Sequence, residues 1–316
     1  MGLPVTVFRH TDPGAPQLVD HKPSEIINLF KKCLVEGYGT KVGLGWTLEY
    51  QDAGTAKAAF RNSTTQGSGG YMRISSATGA DGNDVDYRLQ TCKSMTNIDT
   101  MISPTPYSTY ELNKAYQSVG WELIGTSRGF WFHIYTKYPG VTGSYGFSTS
   151  TTFQYAYAFF VGDLDTIDPN DAGMFTNLRG SSSTVDTGVT SFPPGYDTNF
   201  GYVFLYDADG SPGTYTQYRV TSPYDVSLNR SSLTPSSVGV SMILIPMQLN
   251  IVSPTFFPSV TKPPCRGFVP GTYQASLIGF ANESWPLDLN INGVGHTLLF
   301  MRTHQNIWIN KEQWYV

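Results

Sequence analysis

The feature that most constrains this chain is one tight reversal. Residues Trp121 to Thr126 and Phe130 to Thr136 are two aromatic and β-branched runs, and Ser127-Arg128-Gly129 between them is long enough only for a hairpin turn. Two strands joined that closely must pair antiparallel. The rest of the sequence extends the theme. Glycine (32 residues) and proline (20) divide the chain into short segments, and aromatics reach 14% with 20 Tyr. Charged residues fall to 14%, where an average soluble domain carries about 25%. Such a chain builds short strands and many turns. At 316 residues it can bury a sizeable core without staples.

Along the chain, Pro4 to Phe8 alternates as an extended run, and Thr11-Asp12-Pro13-Gly14 reads as a turn because Pro presets φ and Gly accepts positive φ. One helix is expected, from Pro23 to Gly37. Pro23 and Glu25 suit its first turn, and Ile26, Ile27, Phe30, Cys33 and Leu34 recur at helical spacing. Lys31 and Lys32 lie toward its end and Gly37 can close it. Its apolar face should lie on a sheet. Gly45 to Tyr50, Ala58 to Asn62, Tyr71 to Ser75 and Tyr87 to Cys92 then follow one another between polar turns, as in an antiparallel meander.

Further strands are expected over Tyr155 to Val161, Met174 to Leu178, Gly201 to Tyr206, Val238 to Pro246, Thr297 to Arg302 and Asn306 to Ile309. The Gly/Ser/Thr-rich stretch Gly140 to Thr152 marks a lobe boundary, and Gly180 to Asn199, without apolar periodicity, is read as a loop for contacts with neighbouring subunits. No internal repeat is visible. The fold class is therefore mainly β (α+β), with antiparallel, sandwich-like sheets, one N-terminal helix packed on a sheet, and long loops. The organisation is an N-terminal lobe of helix plus meander (1–139) and a C-terminal β-rich lobe (140–316), or one compact unit.

Chemistry-bearing motifs are scarce. The acid-rich stretch Asp163-Leu164-Asp165-Thr166-Ile167-Asp168-Pro169-Asn170-Asp171 invites comparison with a calcium loop. Counted from Asp168, however, Ala172 and Arg179 stand where oxygens are needed, so an Asx-rich turn is the better reading. Asp81 to Asp86 and Asp207 to Gly210 read as turns on the same grounds. The histidines His10, His21, His133, His296 and His304 lie in no nucleophile, zinc-protease or phosphate-loop setting. His133, inside Phe130 to Tyr135, is expected to be a hydrogen-bonded residue of a sheet. Cys33, Cys92 and Cys265 are odd in number and far apart, which fits three free thiols rather than a disulfide framework or metal pair. No catalytic, cofactor-binding or metal-ligating residue is nominated, and no enzymatic activity or cofactor is expected.

A net charge of −4 with no Lys/Arg cluster argues against direct nucleic-acid binding. The segment Met1 to His10 lacks the pattern of a secretion signal, and no apolar run approaches the roughly 20 residues of a membrane span. Synthesis and folding in a cytoplasm are the expectation.

Several segments carry a resemblance. Leu3-Pro4-Val5-Thr6-Val7-Phe8-Arg9-His10-Thr11-Asp12-Pro13-Gly14-Ala15-Pro16-Gln17-Leu18 resembles the opening of a family of virion proteins from tailed bacteriophages and prophages. Leu34 to Gly39, Gly45-Trp46-Thr47, Ala59 to Asn62, Ser94 to Thr100, the hairpin Trp121 to Thr136, Phe159 to Asp163, and Arg266 to Tyr273 are similar to that family as well. Ser103 to Tyr116 and Gly180 to Pro264 match it poorly.

The resemblance implies a structural component of the virion, made and assembled in the host bacterium. A place in the tail, collar or baseplate is favoured, among other virion proteins and as a homo-oligomer. It carries over no catalytic residue. A capsid-decorating protein, or a receptor- or glycan-binding adhesion protein in contact with the host surface, is the alternative. The glycan reading requires Trp and Tyr on an exposed concavity, whereas the structural reading requires them buried.

Overall fold

In a computed structural model of the chain, the described residues are 2–110, 112, 118–136, 156–178, 201–213, 215–221, 243–251, 259–275, 286–299 and 307–316. The fold is mainly β. Three antiparallel sheets are stacked, with the helix lodged between two of them.

The middle layer is a five-stranded sheet in the order Phe175–Leu178, Ala156–Asp163, Gly129–Thr136, Ser118–Gly125 and Thr6–Arg9. It contains the hairpin, in the register Phe130↔Gly125 to Tyr135↔Gly120. Successive side chains of a strand point to opposite faces, and here both faces are covered. Phe8, Trp121, Leu123, Phe130, Phe132, Ile134, Phe159 and Val161 face one core. Ile124, Trp131, Ala158, Phe160 and Leu178 face another. An antiparallel sheet ordinarily shows one polar face to water. Two covered faces explain why Phe130-Trp131-Phe132 is aromatic without alternation.

On the first face lies the helix. Pro23–Phe30 is α-helical and continues through a wider turn, Lys31–Glu36, until Gly37 at φ +80° ends it. Glu25 holds the entry by accepting from the backbone N–H groups of Val19, Asp20 and Lys22. Ile26, Leu29, Phe30, Cys33 and Leu34 are all fully buried. The Phe30 ring sits 5.0 Å from Phe132, 5.7 Å from Phe130 and 6.3 Å from Phe159, in the tilted and edge-on geometry aromatic pairs prefer. The helix's other side meets Ala58, Phe60, Met72 and Ile74 of a six-stranded sheet. That sheet is the expected meander, Thr47–Asp52, Lys57–Arg61, Tyr71–Ser76, Tyr87–Asn97 and Thr100–Pro104, with Ser108–Tyr110 added against Tyr87–Asn97.

The second face is covered by an eight-stranded sheet, Tyr202–Leu205, Thr216–Thr221, Leu244–Ile251, Cys265–Ala275, Ile307–Asn310, Val294–Leu298 and Asp288–Ile291, with Asp165–Thr166 also pairing on Cys265–Ala275. Val203, Val220, Leu249, Val269, Ile307 and Ile309 are its inward residues. Cys265–Ala275 is eleven residues long and central, although it contains Gly267, Pro270 and Gly271. The register beside it shifts twice, between Pro246 and Gln248 and between Leu249 and Asn250, and bulges are where a strand tolerates such residues. Gly267 and Gly271 are also required sterically. A Cβ would overlap the Asp165 carbonyl at the first and the Trp314 indole at the second, and both have positive φ. Trp314 belongs to Gln313–Trp314, which pairs with Leu3–Pro4.

The middle sheet takes strands from both sides of the 139/140 division; the boundary stretch Gly140 to Thr152 and the loop Gly180 to Asn199 lie outside the described residues. Observed strands fall on nearly all the expected ones. The Val238 to Pro246 candidate is described from Ile243 on, and its strand runs to Ile251, because Leu249 and Met247 continue the buried face. The Thr297 to Arg302 candidate appears as Val294–Leu298, with residues 300–306 outside the described set.

Gly271→Ala should therefore destabilise the fold by at least about 2 kcal/mol, since overpacking adds to strain at positive φ. Gly213→Ala, where a Cβ would meet nothing within 4 Å, should stay within about 0.5 kcal/mol of the parent. Urea unfolding midpoints of the two variants check the contrast.

Candidate functional site

The groups singled out in the sequence are mostly engaged in ties within a turn, within one sheet or between two sheets. Glu122 and His133 stand opposite each other on neighbouring strands, with His133 Nε2 3.2 Å from Glu122 Oε2 and both side chains buried. Arg9, opposite Glu122 on the next strand, donates from Nε to Glu122 Oε1 at 2.6 Å and from Nη2 to Asp288 of the eight-stranded sheet at 2.9 Å. Lys311 completes the chain of charges at 3.0 Å from Asp288. His296 Nδ1 lies 2.9 Å from the Val294 carbonyl, and its ring packs edge-on against Tyr273. His21 is buried at φ +55°, burial pushes the His10 imidazole down, and His304 lies outside the described residues. Cys33, Cys92 and Cys265 are free thiols; burial pushes Cys92 up to about 12.

The acid-rich stretch resolves into turns and two ion pairs, one buried on both sides and one whose arginine is partly exposed. Asp168 Oδ1 accepts from Asn170 N at 2.9 Å and Asp171 Oδ1 from Gly173 N at 2.8 Å, both Asx-turn bonds. Asp171 is also gripped by Arg266 through Nε and, at 2.7 Å, Nη2, with each side chain 1% exposed. Asp163 accepts from Ser68 N at 2.9 Å, from Ser68 Oγ at 2.5 Å and from Arg128 Nε at 3.2 Å. Arg128 in turn lies over the Tyr315 ring, whose hydroxyl donates to the Asp163 carbonyl. Among the described residues no group of three or more His, Cys, Asp or Glu is placed to hold a metal ion.

Where the three sheets meet, these two ion pairs back a cavity of about 270 Å³. Phe175, at the edge of the middle sheet, and Tyr206, just beyond a strand of the eight-stranded sheet, supply aromatic wall. Gly70 makes room for the Phe175 ring, which a Cβ there would overlap. From the six-stranded sheet comes Lys93. It follows Tyr87, Leu89 and Thr91 at a period of two, but where those three are buried its side chain is exposed to solvent at the mouth of the cavity. Its ammonium donates to the Gly210 carbonyl at 3.1 Å. A Cβ on Gly210, φ +74°, would lie 2.5 Å from that ammonium, so the Asp207-Ala208-Asp209-Gly210 turn leaves the space it occupies.

Ser103, also lining the cavity, is held at φ +50° directly before Pro104, although a residue preceding proline favours extended backbone. Strain of about 1–3 kcal/mol persists only where the surroundings enforce it. Nothing in the sequence marked Lys93, Ser103 or Tyr206, because the cavity gathers single residues from segments more than 100 positions apart. The one local signal was the Asp207 to Gly210 turn. No family model matches the chain, and no curated protein matches it.

Removing one partner of the Asp171–Arg266 pair should cost about 3–5 kcal/mol, because a buried charge is left uncompensated. Asp171→Leu combined with Arg266→Met should cost much less than the sum of the single changes, as read from denaturant unfolding.

Acid should act through Asp288. Burial raises its carboxyl, but hydrogen bonds from Arg9 and Lys311 outweigh that and hold it below the usual carboxylate range. Asp12, bonded by Lys41, Arg9 N–H and Tyr38, is held low in the same way. Both favour the ionised form in the fold, a contribution complete above about pH 4 and lost as pH falls through the lower folded values. Asp163 has the opposite sign. Burial outweighs its donors and raises it, so its contribution declines as pH rises from the ordinary value. Melting temperatures should fall between about pH 4 and pH 2, and less steeply in Asp288→Asn than in the parent.

Proposed function

We propose that the chain is a structural component of a tailed-phage virion, associated with the tail, collar or baseplate, where it assembles with other virion proteins and further copies of itself. The observation that carries this reading is the use made of the buried and half-buried charges. Arg9 with Glu122 and Asp288, Arg128 with Asp163, and Arg266 with Asp171 each fasten one segment of the scaffold to another. Groups committed to such ties make a stiff body and are not presented to a substrate.

The resemblance of the opening segment and the hairpin to virion proteins points the same way. Five of the six tryptophans, Trp46, Trp121, Trp131, Trp308 and Trp314, are at most 2% exposed, which favours a scaffold over a sugar-binding platform. The strand Thr47–Asp52 lies at the edge of the six-stranded sheet with alternate residues exposed, and no described strand pairs with its outer side. Such an edge can add a strand from a neighbour.

The test is made on particles. Purified virions should contain this chain in many copies, and removal of its gene should abolish particles or tails, or leave a gap in the imaged density. Particles that form normally but fail to adsorb would instead assign it to host binding. Its absence from purified virions, with infectivity unaffected by the deletion, would end the proposal.

A further inference from the structure

The cavity at the junction of the three sheets has a definite polarity, and this inference does not depend on the assembly reading. Each carboxylate in or behind its wall carries its own arginine: Asp171 has Arg266, and Asp163 has Arg128. Gly173, in the same wall, approaches the Arg266 guanidinium so closely that a Cβ would lie 2.8 Å from Nη2. These paired charges leave little net field. Lys93 is different, because no described carboxylate lies within ion-pair distance of its ammonium. Asp209 does feel the Lys93 charge, but both side chains are exposed, where water and salt screen the interaction without forming an ion pair. One of the three ammonium hydrogens is taken by the Gly210 carbonyl, and two remain.

The remaining walls narrow the ligand class. Phe175, Tyr206 and Met174 offer apolar and aromatic surface, while Ser103 and Asn170 add polar groups. About 270 Å³ is smaller than the roughly 300–1,000 Å³ of pockets that hold drug-sized ligands. The geometry points to a binding site for a small carboxylate with an apolar or aromatic flank, its carboxylate on Lys93 and its flank against Phe175 and Tyr206. The fold has shaped the place for that charge: Gly210 is held in a left-handed turn that leaves room for the ammonium, and Ser103 keeps an unfavourable backbone conformation beside it. The same chemistry could be supplied by a free organic acid or by an acidic side chain of a neighbouring subunit.

The test uses the full chain with benzoate and its uncharged analogue benzamide, followed by calorimetry. Benzoate should bind saturably in the millimolar range and at least about tenfold more tightly than benzamide. Lys93→Met should abolish that preference with an unchanged unfolding midpoint, and Lys93→Arg should restore most of it. Sedimentation velocity then separates the two sources. Dissociation of oligomers by benzoate assigns the site to a neighbour's acidic side chain, and an unchanged sedimentation coefficient assigns it to a free acid. Equal binding of benzoate and benzamide, a preference that survives Lys93→Met, or no saturable benzoate binding would each overturn the inference.

Discussion

Burial of the middle sheet on both faces is the constraint from which the rest follows. An antiparallel strand can leave one parity of its residues to water; a strand in a middle layer can leave neither. Phe130, Phe132 and Phe159 therefore need a cover different from that of Trp131, Phe160 and Ile124, and the chain provides two. Each large side chain transferred from water contributes about 1.5–3 kcal/mol, so neither outer layer could be withdrawn without exposing several such residues at once. The helix lies in the gap between two sheets, and Phe30 fills the side toward the middle sheet.

Polar groups inside such a stack must bring their partners with them. Trp131 Nε1 finds Thr272 Oγ1 across the interface at 2.8 Å, and Asn177 Oδ1 accepts from the Thr91 and Thr105 hydroxyls at 3.1 Å each. The arginine pairs obey the same rule with larger consequences. A buried ion pair adds little net stability relative to well-packed apolar residues, yet it is costly to break. Asp171 and Arg266 thereby penalise any arrangement of the loop that separates them, as do Asp163 and Arg128 for the hairpin turn.

Much of this was legible along the chain and some was not. The hairpin, the meander and the helix announce themselves because their signals are local: turn residues at a fixed offset, or apolar residues at a fixed period. Ile26, Phe30, Cys33 and Leu34 lie where their spacing put them. Cys265–Ala275, the centre of the largest sheet, was hidden because Gly267, Pro270 and Gly271 look like breakers, and their justification is a carbonyl and an indole that arrive from residues 165 and 314. Thr216–Thr221 and Asp288–Ile291 do alternate, with Tyr218, Val220 and Ile291 buried, but runs of six and four residues barely stand out from the polar stretches around them. The layering itself could be suspected only from the unbroken aromatic run at Phe130 to Phe132. The cavity was illegible, since closeness of Lys93, Ser103 and Tyr206 is a property of the stack and of no segment.

The order in which the layers occur along the chain has a kinetic side. The six-stranded sheet is built from one continuous stretch, residues 47–110, so its strands close over short loops. The middle sheet is assembled from pieces as far apart as Thr6–Arg9 and Phe175–Leu178, and contacts so distant in sequence form slowly. During synthesis the helix and the meander it covers emerge first, and the helix side that carries Phe30 waits for a sheet whose last strand is some 70 residues beyond the meander. Over that interval the nascent polypeptide exposes Phe30, whose partners Phe130, Phe132 and Phe159 have yet to arrive, and chaperone capture or premature association competes with productive folding most strongly there.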